Sequence, residues 1–366
     1  MNAERGSRLQ LVECARGLAA FSVVIFHANA TSQLEGWVNF PWLTIFQYGV
    51  DFFFVLSGYI IFFAHRKDFG QRAALSNYLA RRAVRLLPTL WLVIALILGL
   101  RLLTSMPVDL PQLVRSAFPY PSLLPTTPAV VWTLRHEFIF YAMVALLIYS
   151  QRLGMLLATV WIAACILQLG LMLFDRQITG VASFFVSSYS LDFFIGMFIG
   201  HLHRRHEFKV SWRPLLVGFG ALAAALFLDL VFGFHRHGPT DYVTTQAGWF
   251  TLSLGLSFGL ILHGLLVLEG RVKAPPSLVS LGGATYAIYL IHTPVNGAAV
   301  MALKRLGLED RMAQGAGAAL LVVLGTCAGI VLHHAFERPA GNWLRRQWDS
   351  SRSAGAPSRA TGVTSH

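Results

Sequence analysis

The stretch PLLVGFGALAAALFLDLVFGF, residues 214 to 234, contains one ionisable side chain, Asp229. A helix of that length rises about 30 Å, the thickness of a bilayer's hydrocarbon core. No polar–apolar alternation of the kind a membrane β-barrel shows is present. Equivalent windows fall at 10–30, 43–64, 86–104, 129–150, 153–174, 181–202, 247–268, 278–302 and 315–335. Backbone groups in lipid must be satisfied within each segment, so each window predicts a helix.

The rest of the composition agrees. Charged residues make up 13% of the chain and hydrophobic ones 55%, against about 25% charged in a soluble domain. Mean hydropathy is +0.58. Although 366 residues would suffice for two soluble domains, this chain lacks the polar surface to cover them. The expected fold is an all-α, polytopic membrane bundle of about ten transmembrane helices. One membrane domain is expected over 1–349, with a disordered cytoplasmic tail over 350–366 that is rich in Ser, Gly, Ala and Arg.

Orientation follows from the cations. With the N-terminus inside, twenty of the 29 Lys and Arg fall on the cytoplasmic side, seven on the other, and Arg16 and Arg135 within spans. Both termini are therefore expected in the cytoplasm. The net charge of +12 borders spans and predicts contact with membrane lipids and a cytoplasmic anion, and no nucleic acid. Cys14, Cys165 and Cys327 all fall inside predicted helices, so free thiols are expected. The first apolar segment leads into further spans, and no cleavable signal is expected. Six prolines between Pro107 and Pro128 predict an irregular outer loop over 105–128, and a polar outer loop is expected over 235–246.

Ionisable residues inside spans are the informative ones, because each is costly there unless paired or facing a cavity. At a rise of ~1.5 Å per residue, Arg16 lies about 10 Å from the cytoplasmic face and His27 about 25 Å from it. Asp51 and Glu137 come to about 18 Å, and His292 to about 21 Å. Four helices thus bring His, Asp, Glu and His towards one level, a set suited to proton transfer. Arg16 lies below, near Arg81, Arg82 and Arg85, where guanidinium forks suit phosphate oxygens. Bland readings stand beside these. The arginine cluster also fits a positive-inside loop. His263 fits hydrogen-bonded packing, Asp192 and Asp229 fit pairing with a neighbouring helix, and His203 and His206 fit a loop border. His333 and His334 are adjacent and point apart, which makes them poor metal ligands, and no metal site is expected.

Several motifs carry chemistry in order along the chain. They are Arg16-Gly17-Leu18-Ala19-Ala20 with His27; Gly49-Val50-Asp51-Phe52-Phe53-Phe54-Val55-Leu56-Ser57-Gly58-Tyr59; and Arg82-Ala83-Val84-Arg85. Trp132-Thr133-Leu134-Arg135-His136-Glu137, running to Tyr141, Gly282-Gly283-Ala284-Thr285-Tyr286 to His292, and Glu337-Arg338-Pro339 complete the set. Together they resemble the acyltransferase-3 family, over residues 8 to 340. Thr133 stands where Ser is common, and Gly283-Ala284-Thr285 replaces a commoner polar stretch.

The resemblance implies a ten-helix enzyme of the bacterial inner membrane. It would move acetyl or another short acyl group from cytoplasmic acyl-CoA to a hydroxyl of a glycan or lipid-linked sugar. The family's acceptors include O-antigen, exopolysaccharide, Nod factors, peptidoglycan and macrolides. The peptidoglycan type often carries an extra hydrolase-like domain, which this chain is not expected to have. Acyl-CoA would come and go as a substrate, with no cofactor bound permanently. Arg16, Arg82 and Arg85 would hold its phosphates. His27 would act as general base or as transient acyl carrier, with Glu137 orienting it. Asp51, Ser57, Tyr141, Tyr289 and His292 would line the cavity. Two rivals remain at this stage, a proton-coupled transporter, which often shows inverted repeats not found here, and a catalytically silent scaffold.

Overall fold

The computed structural model describes residues 9–174, 176–233, 248–312 and 316–354. Fifteen helices follow one another: α1 (Gln10–Leu34), α2 (Gly49–His65), α3 (Leu75–Leu103), α4 (Leu110–Ala117), α5 (Val131–Tyr149), α6 (Gln151–Met172), α7 (Ala182–Phe185), α8 (Ser188–Arg205), α9 (Arg213–Phe232), α10 (Gly248–Leu268), α11 (Pro276–Gly283), α12 (Thr285–Arg305), α13 (Glu309–Met312), α14 (Ala316–Leu332) and α15 (Arg338–Ala354). No strand occurs among the described residues. Among the described residues, ten helical segments are long and apolar enough to cross a membrane, and they overlap the ten apolar windows. The protein is a multi-pass membrane protein. The end of the bundle where α1 starts is here called the terminal face.

Apolar side chains point both ways, as a bundle in lipid requires. Leu216, Phe219, Phe227, Leu230 and Phe232 stand exposed along α9, a surface that would be a liability in water. Inside, α2 and α8 form the central pair. Helices α9 and α10 pack beside them, α5 and α6 flank α8, and α1, α12 and α14 form a third group. Close approach depends on small residues. A Cβ on Gly58 would meet the Phe193 carbonyl oxygen, and one on Gly196 would meet that of Val55. At those two points α2 and α8 touch backbone to backbone.

Three segments differ from expectation. Helix α3 begins at Leu75, eleven residues before its apolar window, so Arg81, Arg82 and Arg85 sit on a helix and not in a loop. The ninth window is broken at Ala284 into α11 and α12. The proline-rich segment 105–128 is also more ordered than its composition implied. It contains α4, started by Pro111 in its first turn and by Asp109, whose side chain accepts from the Gln112 N–H. Arg135, buried in α5, donates to the carbonyls of Ser122 and Leu124, and Trp91 donates to Ala117 at 2.9 Å. The segment is thereby a fixed cap over that end of the bundle. The polar loop 235–246 lies outside the described residues. Helix α15 runs on to Ala354, and residues 355–366 also lie outside. The three cysteines are free.

Candidate active site

His27 sits in α1 and His292 in α12. Each ring is held by the carbonyl one turn earlier in its own helix, His27 Nδ1 at 3.0 Å from Val23 and His292 Nδ1 at 3.0 Å from Ile288. A carbonyl only accepts, so both Nδ1 atoms carry the proton. His292 Nε2 then faces His27 Nδ1 at 3.2 Å as an acceptor. The lone pair of His27 Nε2 is left for another partner. His292 is fully buried and His27 only partly so, which makes His27 the member open to a substrate. On α14, Gly325 faces them, and a Cβ there would stand 3.1 Å from that of His292.

One turn beyond His292 lies Asn296, 1% exposed. Among the described residues, neither its oxygen nor its nitrogen has a hydrogen-bond partner. A buried carboxamide without partners is destabilising. In the sequence, neither a motif nor a charge marks Asn296.

A second group of polar side chains lies on one face of α5, where Thr133, Glu137 and Tyr141 recur every four residues. Glu137 accepts from Tyr141 and, at 3.4 Å, from Ser57 of α2. Thr133 and Tyr289 share a hydrogen bond of 3.0 Å. The Tyr289 ring lies between Phe53 and His292, with centroids 6.2 and 6.0 Å away. The structure thus brings His27, His292 and Tyr289 together, and separately Glu137, Ser57 and Tyr141. His27 is hydrogen-bonded to His292. Glu137, expected as the orienting partner, makes no hydrogen bond to His27.

Among the described residues, no hydrogen bond joins Asp51 to either histidine. Asp51 is buried on the first turn of α2, where its electrostatic partner is the fully buried Asp192 of α8. One Asp51 oxygen and both Asp192 oxygens have no hydrogen-bond partner among the described residues. The missing side chain of Gly255 makes room for the Asp192 carboxyl group. Asp229, read as pairing with a neighbouring helix, accepts from Tyr48 at 2.6 Å. His263 of α10 meets His203 of α8 at 2.8 Å. His136 is enclosed by Phe54, Trp132, Phe184 and Tyr189.

Towards the terminal face a cleft of about 630 Å³ opens between α1, α3, α11 and α15. Arg16 and Arg85 line it, as do Glu13 and Glu337. Arg16 is fixed by Gly282, whose carbonyl accepts from Nε at 3.0 Å, and by Glu13 at 3.2 Å. Arg85 has Tyr141, Glu137, Glu337 and Glu13 as electrostatic neighbours, which links the cleft to the Glu137 group. Arg82 does not line the cleft. Three residues turn a helix by about 300°, so Arg82 and Arg85 diverge by about 60°. Arg82 instead donates to His65 Nε2 at 3.1 Å, and His65 Nδ1 donates to Asp68 at 2.9 Å. Its guanidinium lies 5.6 Å from the Tyr141 ring and 5.8 Å from that of Tyr78. Among the described residues, no three His, Cys, Asp or Glu cluster as metal ligands would.

A family model described as an acyltransferase domain matches residues 10–334. Among curated proteins, the chain is 30% identical to the exopolysaccharide production protein ExoZ of Rhizobium meliloti over 335 residues, 87% of this chain and 95% of that one. It is 24% identical to the O-acetyltransferase OatA of Staphylococcus aureus over 309 residues, 76% of this chain and 49% of OatA. The chain therefore corresponds to about half of OatA. No solved structure matches.

Proposed function

The chain belongs to the acyltransferase-3 family, and from that premise we propose that it moves acetyl or another short acyl group from cytoplasmic acyl-CoA to a glycan hydroxyl. Membership makes it an acyltransferase and sets aside the transporter and scaffold alternatives. The observation that carries the mechanism is the His27–His292 pair, which leaves one imidazole lone pair available. In this reading the terminal face is cytoplasmic and the membrane is the bacterial inner one. Arg16 and Arg85 receive the phosphates of the donor. Its pantetheine arm passes inward beside Tyr141 and Tyr289 to His27, eleven residues or about 16 Å further along α1.

His27 Nε2 takes the proton of the acceptor hydroxyl as its oxygen attacks the thioester carbonyl. The carbon–sulfur bond breaks, and the imidazolium returns the proton to the leaving CoA thiolate. The variant in which His27 carries the acyl group adds an acyl-imidazole before the same acceptor attacks. The Asn296 carboxamide, buried and without a partner among the described residues, supplies a hydrogen bond to substrate near the pair. Glu137, held by Tyr141 and Ser57, lies along the route of the arm. ExoZ's link to exopolysaccharide production and OatA's O-acetyltransferase name support a polysaccharide acceptor.

The test is transfer of labelled acetyl from acetyl-CoA by membranes containing wild type, His27→Ala or Arg85→Ala. Label is expected in a glycan fraction with wild type, and a loss of about a hundred- to ten-thousandfold with His27→Ala. Transfer indifferent to His27 would overturn the mechanism.

A further inference from the structure

The wall of the cleft formed by α15 lies beyond residue 334, outside the span matched by the family model. The chain reaches it from α14 through a π-helical turn, His333–Glu337. Helix α15 is docked on α3, where Arg81 lies 3.8 Å from Asp349. Arg338, Gly341 and Arg345 recur at helical spacing on one face of α15, and all three line the cleft. Arg345 Nη2 donates to Asn342 at 2.8 Å. The Arg345 guanidinium lies beside Gly341, where a Cβ would stand 3.5 Å from it in ordinary van der Waals contact.

The carboxylates of the cleft already have partners. Glu13 pairs with Arg16 at 3.2 Å, and Glu337 accepts from His333 at 2.8 Å. Among the described residues, no carboxylate lies within 4.0 Å of Arg85, Arg338 or Arg345. Three guanidinium groups from two helices therefore face one cleft without a carboxylate in contact, Arg85 having Glu137, Glu337 and Glu13 as more distant electrostatic neighbours. Such forks fit phosphate oxygens two at a time.

We propose that Arg338 and Arg345 form a clamp for the 3′-phosphate of the acyl-CoA nucleotide, a proposal that rests on the donor assigned above. The arm must leave near Arg16, because α1 also carries His27. The diphosphate joined directly to the arm then falls to Arg16 and Arg85. The 3′-phosphate, at the far end of the nucleotide, falls to the unpaired cations of α15. Helix α15 thereby selects a complete nucleotide thioester over a truncated one.

The experiment compares acetyl-CoA with acetyl-3′-dephospho-CoA as donors for the full chain reconstituted in vesicles. A charge-assisted bond contributes enough for about a tenfold change in affinity. Wild type is expected to show a KM about tenfold lower for acetyl-CoA. Arg345→Gln should raise that KM about tenfold, leave kcat alone and leave the dephospho donor unaffected, with Arg345→Lys in between. An equal effect on both donors, or none on either, overturns the clamp. A headgroup phosphate is the other source of the same chemistry, so vesicles of phosphatidylcholine alone are compared with vesicles containing phosphatidylglycerol. An Arg345 effect seen only with the anionic lipid assigns these cations to the membrane and overturns the clamp. Displacement of bound CoA by dephospho-CoA on purified protein separates the two readings. Tenfold discrimination lost in Arg345→Gln without any acetyl transfer supports the clamp and sinks the proposed reaction. Binding of neither sinks both.

Discussion

His27 and His292 are 265 residues apart in sequence, and each depends on the other's geometry. His292 is fully buried, and in the proposed mechanism its part is to orient the His27 ring. His292→Phe should lower kcat about a hundredfold with KM for the donor unchanged, measured in reconstituted vesicles. Asn296 predicts a different pattern. Replacing an unsatisfied buried amide by a similar apolar group removes a destabilising element, so Asn296→Leu should unfold at the same or a higher temperature in detergent. Its kcat/KM should nonetheless fall at least about tenfold, as expected for one lost substrate hydrogen bond. A variant that lost stability and kept activity would show Asn296 to be structural. The histidines were legible in the sequence because charge in a span is conspicuous and depth can be counted along a helix. Asn296 was not, because an uncharged amide is unremarkable until its surroundings are known.

Between elements, the contact of α2 with α8 rests on Gly58 and Gly196. Overpacking such a contact costs about 1–3 kcal/mol. Gly58→Leu should therefore lower the unfolding temperature and the yield of folded protein, while Gly99→Ala, with nothing within 4 Å of its added Cβ, should not. The cap over 105–128 tests the role of Arg135. Arg135→Ala should open that segment to proteolysis from the side opposite the termini, with the bundle intact. Here the sequence was harder to read. Asp109 followed by Pro111 and Gln112 is a helix start, yet the density of prolines around it spoke for irregular chain. Helix α3 starts early because a helix continues beyond the bilayer wherever water can take polar side chains such as Arg81, and hydropathy marks only its lipid-embedded part. That Arg82 meets His65 and Tyr141 depends on neighbours no local pattern reveals.

For the whole molecule, the ten windows were legible because backbone in lipid leaves few alternatives to a helix. The meeting of α1 with α12 at the two histidines was legible only as a shared depth, and the separate grouping of Glu137 with Tyr141 and Ser57 depends on which helices touch. Cations of the last helix were counted as a sign of orientation, which hid Arg338 and Arg345 as a wall of the cleft. Orientation itself has a direct check. Single cysteines placed at Lys273 and Lys304 in a cysteine-free background should react oppositely with an impermeant maleimide, Lys304→Cys in intact cells and Lys273→Cys only after lysis. The last membrane helix, the π-helical turn and most of α15 follow one another without a break over Ala316–Ser351, 36 residues, a helical path of about 54 Å at ~1.5 Å per residue. A helical fusion joined in register to that path would turn with the bundle, giving electron microscopy a fiducial for a protein otherwise hidden in its micelle.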